Sequence, residues 1–364
     1  MTGPLTLALA LPLALAALAA AALAILAAPA ALAAGLAAGP GSASGVAFSP
    51  DGTLLAGGYA DGSIRLWNVA TGHPAGAALQ ASSAVLSVAF SPAGTVLAGG
   101  YADGQVRLWD PGTGQQSGPA LAAGSAVTGV AFSPDGAMLA SASADGSIRL
   151  WNPATGQQVG PALQAGGAVR AVTFNPAATL LASAGTDGDI RLWAVATGML
   201  TGSPLPGGSI ANAVAFSPDG TLLAGGYADG QILLWNPVTG QPARAALPAG
   251  AAVTGVAFSP DGTELASAGA DGQVRLWDPV TGQPAGSPLQ AGSPVTAVAF
   301  GAGGKLAAAG ANGAVHVWNI SASPSAVRDA RYWIILAAAV AAIALAASAA
   351  LVTSRGLWLA RKGA

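Results

Sequence analysis

The chain has no cysteine. That excludes disulfides, thiolate metal sites, cysteine nucleophiles and a lipoprotein-type acylated cysteine. Charge is also scarce: Asp, Glu, Lys and Arg make up 8% of the 364 residues, where a soluble domain carries roughly a quarter. The formal net charge of -2 leaves no basic surface for nucleic-acid phosphates, so no nucleic-acid partner is expected. Histidine occurs only at His73 and His316, and neither has a carboxylate or serine at a motif-like spacing. No nucleophile elbow, zinc-binding His-Glu pair, Walker loop or dinucleotide glycine fingerprint is present. Calcium loops need several oxygen ligands close together, and each Asp of the frequent Asp-Gly pairs is set among Ala, Gly and Ser. The expectation is a protein without catalytic residues, metal or cofactor.

What the chain does have is apolar residues, 52% of the total, distributed unevenly. Residues 5–28 and 332–353 carry almost no polar groups, and nearly all the Asp, Gly, Phe and Trp lie between them. There the tryptophans act as a ruler. Trp67, Trp109, Trp151, Trp193, Trp235, Trp277 and Trp318 follow at intervals of 42, with a last interval of 41. The seven phenylalanines, from Phe48 to Phe300, keep the same register, each 18 or 19 residues before its tryptophan. A unit of this length copied seven times is the mark of a repeat architecture.

Within a unit the apolar period is two, which signals strands. Val130-Ala131-Phe132 ends a first strand, and Ser133-Pro134-Asp135-Gly136 turns the chain, Pro fixing one φ and Gly accepting a positive one. Met138 to Ser143 makes a second strand, Ala144-Asp145-Gly146 a tight hairpin, and Ser147 to Trp151 a third strand. After Thr155-Gly156, Gln158 to Gln164 can form a fourth. The pattern predicts an all-β fold: a seven-bladed β-propeller of four-stranded antiparallel blades, with one or two hydrophobic transmembrane-type helices at the termini.

Over residues 43–319 the unit resembles the WD-repeat family, whose pattern includes Phe-Ser-Pro-Asp-Gly and a strand ending in Trp-Asp. The dipeptide itself survives at Trp109-Asp110 and Trp277-Asp278; four copies read Trp-Asn, and Trp193 precedes Ala194. The resemblance implies a hydrogen-bond network of Asp, His, Ser or Thr, and Trp in each blade. By position it carries over to Ser141, Asp145 and Trp151, to Ser183, Asp187 and Trp193, and to Ser267, Asp271 and Trp277. Gly57, Gly99 and Gly225 replace the serine in the blades of Asp61 and Trp67, Asp103 and Trp109, and Asp229 and Trp235. The histidine is missing throughout, so the network is partial and the Asp residues are expected to serve their own turns.

The seventh unit lacks the Thr-Gly turn and a fourth strand of its own. Leu36-Ala37-Ala38-Gly39 repeats the tetrapeptide Leu121-Ala122-Ala123-Gly124, so residues 33–38 are expected to complete that blade, the closure common among WD-repeat propellers. The domain reading is then a signal peptide or N-terminal membrane helix over 1–32, the propeller over 33–320, a linker over 321–331, a transmembrane helix over 332–353 and a short basic tail over 354–364.

Residues 5–28 are long enough to span a bilayer, for which about 20 apolar residues suffice. They fit an export signal or an uncleaved anchor, although Met1-Thr2-Gly3-Pro4 lacks the usual basic start; a buried soluble helix is the plain alternative. In the second segment Tyr332, Trp333 and Trp358 stand where interfacial aromatics belong. Arg355, Arg361 and Lys362 follow it, against Arg328 and Arg331 before it. The bias favours a cytoplasmic C-terminus and a propeller outside the cytoplasm, in what the Ala and Gly bias suggests is a bacterial plasma membrane.

Function is expected at positions that vary between units. Ser44, Leu86, Thr128, Arg170, Asn212, Thr254 and Thr296 stand at the entry to the first strand, which in the resembling family encircles the central channel and contacts partners. Arg170 is the only charge among them, and a guanidinium can grip a carboxylate; a solvated rim residue is the bland reading. Tyr59, Tyr101 and Tyr227 also vary and suit either a binding patch or packing between blades. The leading expectation is a membrane-tethered scaffold for a protein or peptide partner. The alternatives are an interaction or sensor subunit of a bacterial membrane signalling complex and, last, a propeller hydrolase.

Overall fold

The period-two units become sheets, one per repeat. The computed structural model describes residues 34–36, 39 and 41–320; both apolar terminal segments, with the spans and tail expected there, lie outside the described residues. Blade 1 is built from Ala43–Phe48, Leu54–Tyr59, Ser63–Asn68 and Leu79–Gln80, hydrogen-bonded in that order. Blade 3 repeats it with Val127–Phe132, Leu139–Ser143, Ser147–Asn152 and Gln157–Gln164. Seven such antiparallel sheets follow one another, and the inner strands of consecutive blades are neighbours around a closed ring. The fold is a seven-bladed β-propeller, and among the described residues no helix is long and apolar enough to cross a membrane.

The outer strand is full length in blade 3 and shrinks to two residues in blades 1, 2, 5 and 6. There the track opposite the tryptophan is reduced to single bridges, to Pro74, Gln116, Pro242 and Pro284. Proline has no N–H to give to the ladder, which accounts for three of the four; Gln116 has no such explanation.

The ring closes with chain from the other end. Ala34–Leu36 runs antiparallel to Val315–Asn319, with Leu36 opposite Val315 and Ala34 opposite Val317. The strand foreseen over 33–38 therefore pairs as the outer strand of blade 7, and Leu36 is buried with Tyr59 and Trp67 of blade 1.

The core lies between the blades. Ile148 and Leu150 of blade 3 pack on Val169, Val172, Phe174, Leu181 and Trp193 of blade 4, and the same set recurs at each seam. All seven repeat tryptophans are buried. The turns follow their residues: Ser49 Oγ donates to Asp51 at 2.6 Å and the Thr53 amide donates to the same carboxylate at 3.1 Å. At the second hairpin Gly62 has φ +86, and a Cβ there would sit 2.4 Å from the Ala81 carbonyl oxygen, so no other residue fits.

Candidate functional site

Each inner strand contains a register shift at the same place: between Ala43 and Gly45, Val85 and Ser87, Val127 and Gly129, Val169 and Ala171, Ala211 and Ala213, Val253 and Gly255, and Val295 and Ala297. The residue in each gap is the rim residue, from Ser44 round to Thr296. A bulge residue leaves the ladder and its side chain is re-aimed. That is why these seven side chains, of five kinds, gather at one place. All seven line a cavity of about 240 Å³ in the channel. At its mouth Leu86, Thr128, Arg170, Asn212, Thr254 and Thr296 surround a further space of about 340 Å³.

Most rim polar groups are already engaged. The Thr128 hydroxyl donates to the Val169 carbonyl of the next blade at 2.6 Å, with the Ala142 carbonyl at 3.2 Å. Thr254 does the same to Val295 at 2.6 Å, Thr296 to Ala43 at 2.6 Å, and Asn212 Nδ2 donates to Val253 at 2.9 Å. These side chains join blades. Arg170 differs: it is exposed, and among the described residues it makes no ion pair or hydrogen bond. The mouth is thus an aperture of committed hydroxyls with one available guanidinium.

The Asp residues of the second hairpins stand at the same end of the blades as the strand entries, since each blade runs away from that end on its first strand and returns on its second. Asp145 accepts from the Ser147 amide at 2.9 Å and its hydroxyl at 2.6 Å, the turn role expected of it. The Asp residues are not isolated, however. Arg65, Arg107, Arg191 and Arg275 form ion pairs with Asp61, Asp103, Asp187 and Asp271 four residues earlier, at 2.6–3.3 Å. The Arg107 hydrogen bond holds the Asp103 carboxyl below the ordinary carboxylate range, and Arg275 does so for Asp271. The constant offset of four was the signal that sequence reasoning missed.

The internal network also divides differently from the family pattern. Trp151 Nε1 donates to Ser141 Oγ at 2.8 Å, Trp193 to Ser183 and Trp277 to Ser267 at 2.9 Å. In these blades the Asp serves its hairpin and the Ser–Trp pair stands separately. Where glycine replaces serine, a tyrosine two residues on fills the space. A Cβ on Gly99 would meet the Tyr101 ring at 2.8 Å, and one on Gly225 the Tyr227 ring at 3.0 Å. Trp109 Nε1 donates to the Tyr101 hydroxyl at 3.1 Å; Tyr59 and Tyr227 instead meet Trp67 and Trp235 edge to face. The Tyr59 hydroxyl faces the Gly39 backbone without closing a hydrogen bond of normal geometry. All three tyrosines are fully buried, and burial pushes Tyr59 and Tyr101 up to about 12. They pack between blades and form no surface patch.

His73 is exposed in a turn, whereas His316 stacks on Trp318 at 5.6 Å. Among the described residues no three His, Asp or Glu come together as metal ligands would.

The family model described as "IFT122 first beta-propeller" matches residues 84–340, and the one described as "WD domain, G-beta repeat" matches residues 38–68. No curated protein matches the chain.

Proposed function

The chain belongs to the propeller family described as "IFT122 first beta-propeller", and from that footing we propose that it is a membrane-tethered scaffold whose channel rim docks a protein or peptide. Propellers of WD repeats typically hold partners rather than perform chemistry. The observation that carries the rim reading is Arg170, exposed and without an ion-pair partner among the described residues, at the mouth of a preformed cavity. A guanidinium there suits a carboxylate of the partner. The rim bonds between blades keep that surface stiff, so little ordering entropy opposes docking.

The tether is read from the sequence alone: the apolar run from Tyr332 to Val352 with its aromatic and basic flanks, and the second run over 5–28. In this reading 321–331 links the ring to the span, 354–364 lies in the cytoplasm, and the ring lies outside it. External protease acting on intact cells should then cleave the ring; protection would overturn the exterior placement. For the rim, the test is affinity capture from detergent-solubilised membranes with wild type and Arg170→Glu. Recovery of a specific protein should fall at least tenfold with melting unchanged, and equal recovery would sink the rim as the docking surface.

A further inference from the structure

The polar groups of the channel rim differ in what they leave unengaged. A hydroxyl carries one proton and two lone pairs. Thr128, Thr254 and Thr296 each commit that proton to a main-chain carbonyl of the next blade, at 2.6 Å. Asn212 turns its Nδ2 to the Val253 carbonyl at 2.9 Å. Among the described residues nothing donates to these three hydroxyl oxygens or to Asn212 Oδ1. All four side chains line the channel mouth. What the threonines offer an incoming group is therefore acceptor capacity, and Asn212 Oδ1 adds to it.

Arg170 is the charged exception, and its neighbours matter. Thr128 of blade 3 and Asn212 of blade 5 stand on either side of it in the ring, so one guanidinium lies between two acceptors. A bare oxyanion such as sulfate would satisfy the guanidinium but set oxygen against oxygen on both sides. An aspartate or glutamate side chain has the same fault, because its carboxylate ends a stem without N–H groups. The carboxyl end of a peptide does not. The carbon that bears its carboxylate also bears an amide N–H, so negative charge and donor arrive together. Size agrees with this choice: the channel cavity of about 240 Å³ is smaller than the roughly 300–1,000 Å³ of pockets that enclose drug-sized ligands. It suits the tip of a chain better than a loop, which must bring two strands of backbone. Leu86, the sole apolar side chain among the rim residues, stands two blades from Arg170, where it can flank the side chain of a last residue.

We propose that the channel mouth receives the free carboxyl terminus of the protein partner. Arg170 pairs with the terminal carboxylate, for which its planar fork is matched, and Thr128 and Asn212 accept the N–H of the last residue. The inference rests on the reading of the chain as a protein-binding scaffold and deepens it: the partner enters the channel end first, by its last residue or two, and an apolar last residue is favoured by Leu86.

The test uses the full chain in detergent and N-acetyl-alanyl-leucine with a free carboxylate as probe, observed by saturation-transfer NMR on the acetyl methyl. Saturable transfer is expected. It should fall at least fivefold when the probe is the C-terminal amide, and at least fivefold in Arg170→Gln. Two further probes should lose at least threefold: N-acetyl-glutamate α-amide, whose carboxylate is on the side chain, and the N-methyl-leucine analogue, which lacks the last N–H. No saturable transfer in wild type, equal signals from acid and amide, or an undiminished signal in Arg170→Gln overturns the proposal. Equal signals from either further probe overturn the choice of a chain terminus. If Arg170→Gln melts below wild type, the comparison of acid and amide on the wild-type chain decides alone. A chain that captures a protein through Arg170 but treats acid and amide alike loses this inference and keeps the scaffold reading. A chain that selects the acid yet captures no protein loses the scaffold reading and the partner with it, leaving a site for a small carboxylate.

Discussion

The Thr296 hydroxyl stands between the carbonyl of Ala43, at 2.6 Å and 253 residues earlier in the chain, and that of Ala309 in its own blade, at 3.0 Å. One proton thus ties the last blade to the first at the channel, while Ala34–Leu36 ties them at the periphery. Thr296→Val should cost about 1–3 kcal/mol, because a buried carbonyl loses its donor. Thr128→Val removes the same bond between blades 3 and 4 and should cost a similar amount in urea melts. Deleting residues 33–40 should cost more than either, since it removes the buried Leu36 and uncovers Tyr59 and Trp67, which share its core cluster. Unchanged melting after that deletion would refute the role of the strand in closure.

The serine and tyrosine blades are alternative fillings of one space, so exchanging one residue at a time should fail. Tyr227→Ser opens a cavity and should cost about 3–5 kcal/mol. Gly225→Ser on its own drives a Cβ to 2.5 Å from Ile190 and 3.0 Å from the Trp235 ring. The double variant gives Trp235 Nε1 a hydroxyl in the arrangement of Trp193 and Ser183. It should be more stable than the sum of the singles by about 0.5–3 kcal/mol. Strict additivity in denaturant melts would contradict the coupling.

Ala178 occupies the turn position held by glycine at Gly52, Gly136 and Gly220, with φ 56. A left-handed conformation is unfavourable for a residue with a Cβ. Ala178→Gly should therefore stabilise the ring by about 1 kcal/mol, and Ala178→Val should destabilise it. A lower melting temperature for the glycine variant would show that the turn is not strained.

Stability should fall in two stages on acidification. Burial lowers the pKa of His316 beneath its ordinary 6.5. The unfolded chain then binds the proton more readily, so this contribution is complete above about pH 6.5 and declines as pH falls through the lower folded value. Ser49, Ser133, Ser217 and Ser259 hold Asp51, Asp135, Asp219 and Asp261 below 3.8 by hydrogen bonds. Their contribution is present above 3.8 and declines below it. Urea midpoints in His316→Gln should lose the first decline and keep the second.

Repeats, hairpins and the closing strand were legible because Trp spacing, period-two alternation and Pro-Asp-Gly or Asp-Gly turns act through local chemistry. The rim positions were legible only as the place where copies differ. Ser44, Leu86, Arg170 and Asn212 share no chemistry that announces a bulge; it is a property of backbone register. The interblade bonds of Thr128, Thr254 and Thr296 were hidden for the same reason, since their acceptors are main-chain carbonyls of another repeat. The burial of Tyr227 depends on the space that Gly225 leaves, which only the packed seam reveals. The Asp–Arg offset was in plain view, and its meaning required knowing that hairpin and strand put both side chains on one side.

Those interblade bonds are unevenly placed. Thr128, Asn212, Thr254 and Thr296 join blades 3 to 4, 5 to 6, 6 to 7 and 7 to 1, and the Val130 amide donates to Ser87 Oγ at 3.2 Å to join blade 3 to blade 2. Among the described rim residues no such link crosses from blade 1 to 2 or from 4 to 5. The bonded rim therefore falls into two arcs, blades 2 to 4 and blades 5 to 1, joined by apolar packing at the two seams between them. Amide exchange should be quickest at those two joints, and a molecule seated across either would lock the arcs together.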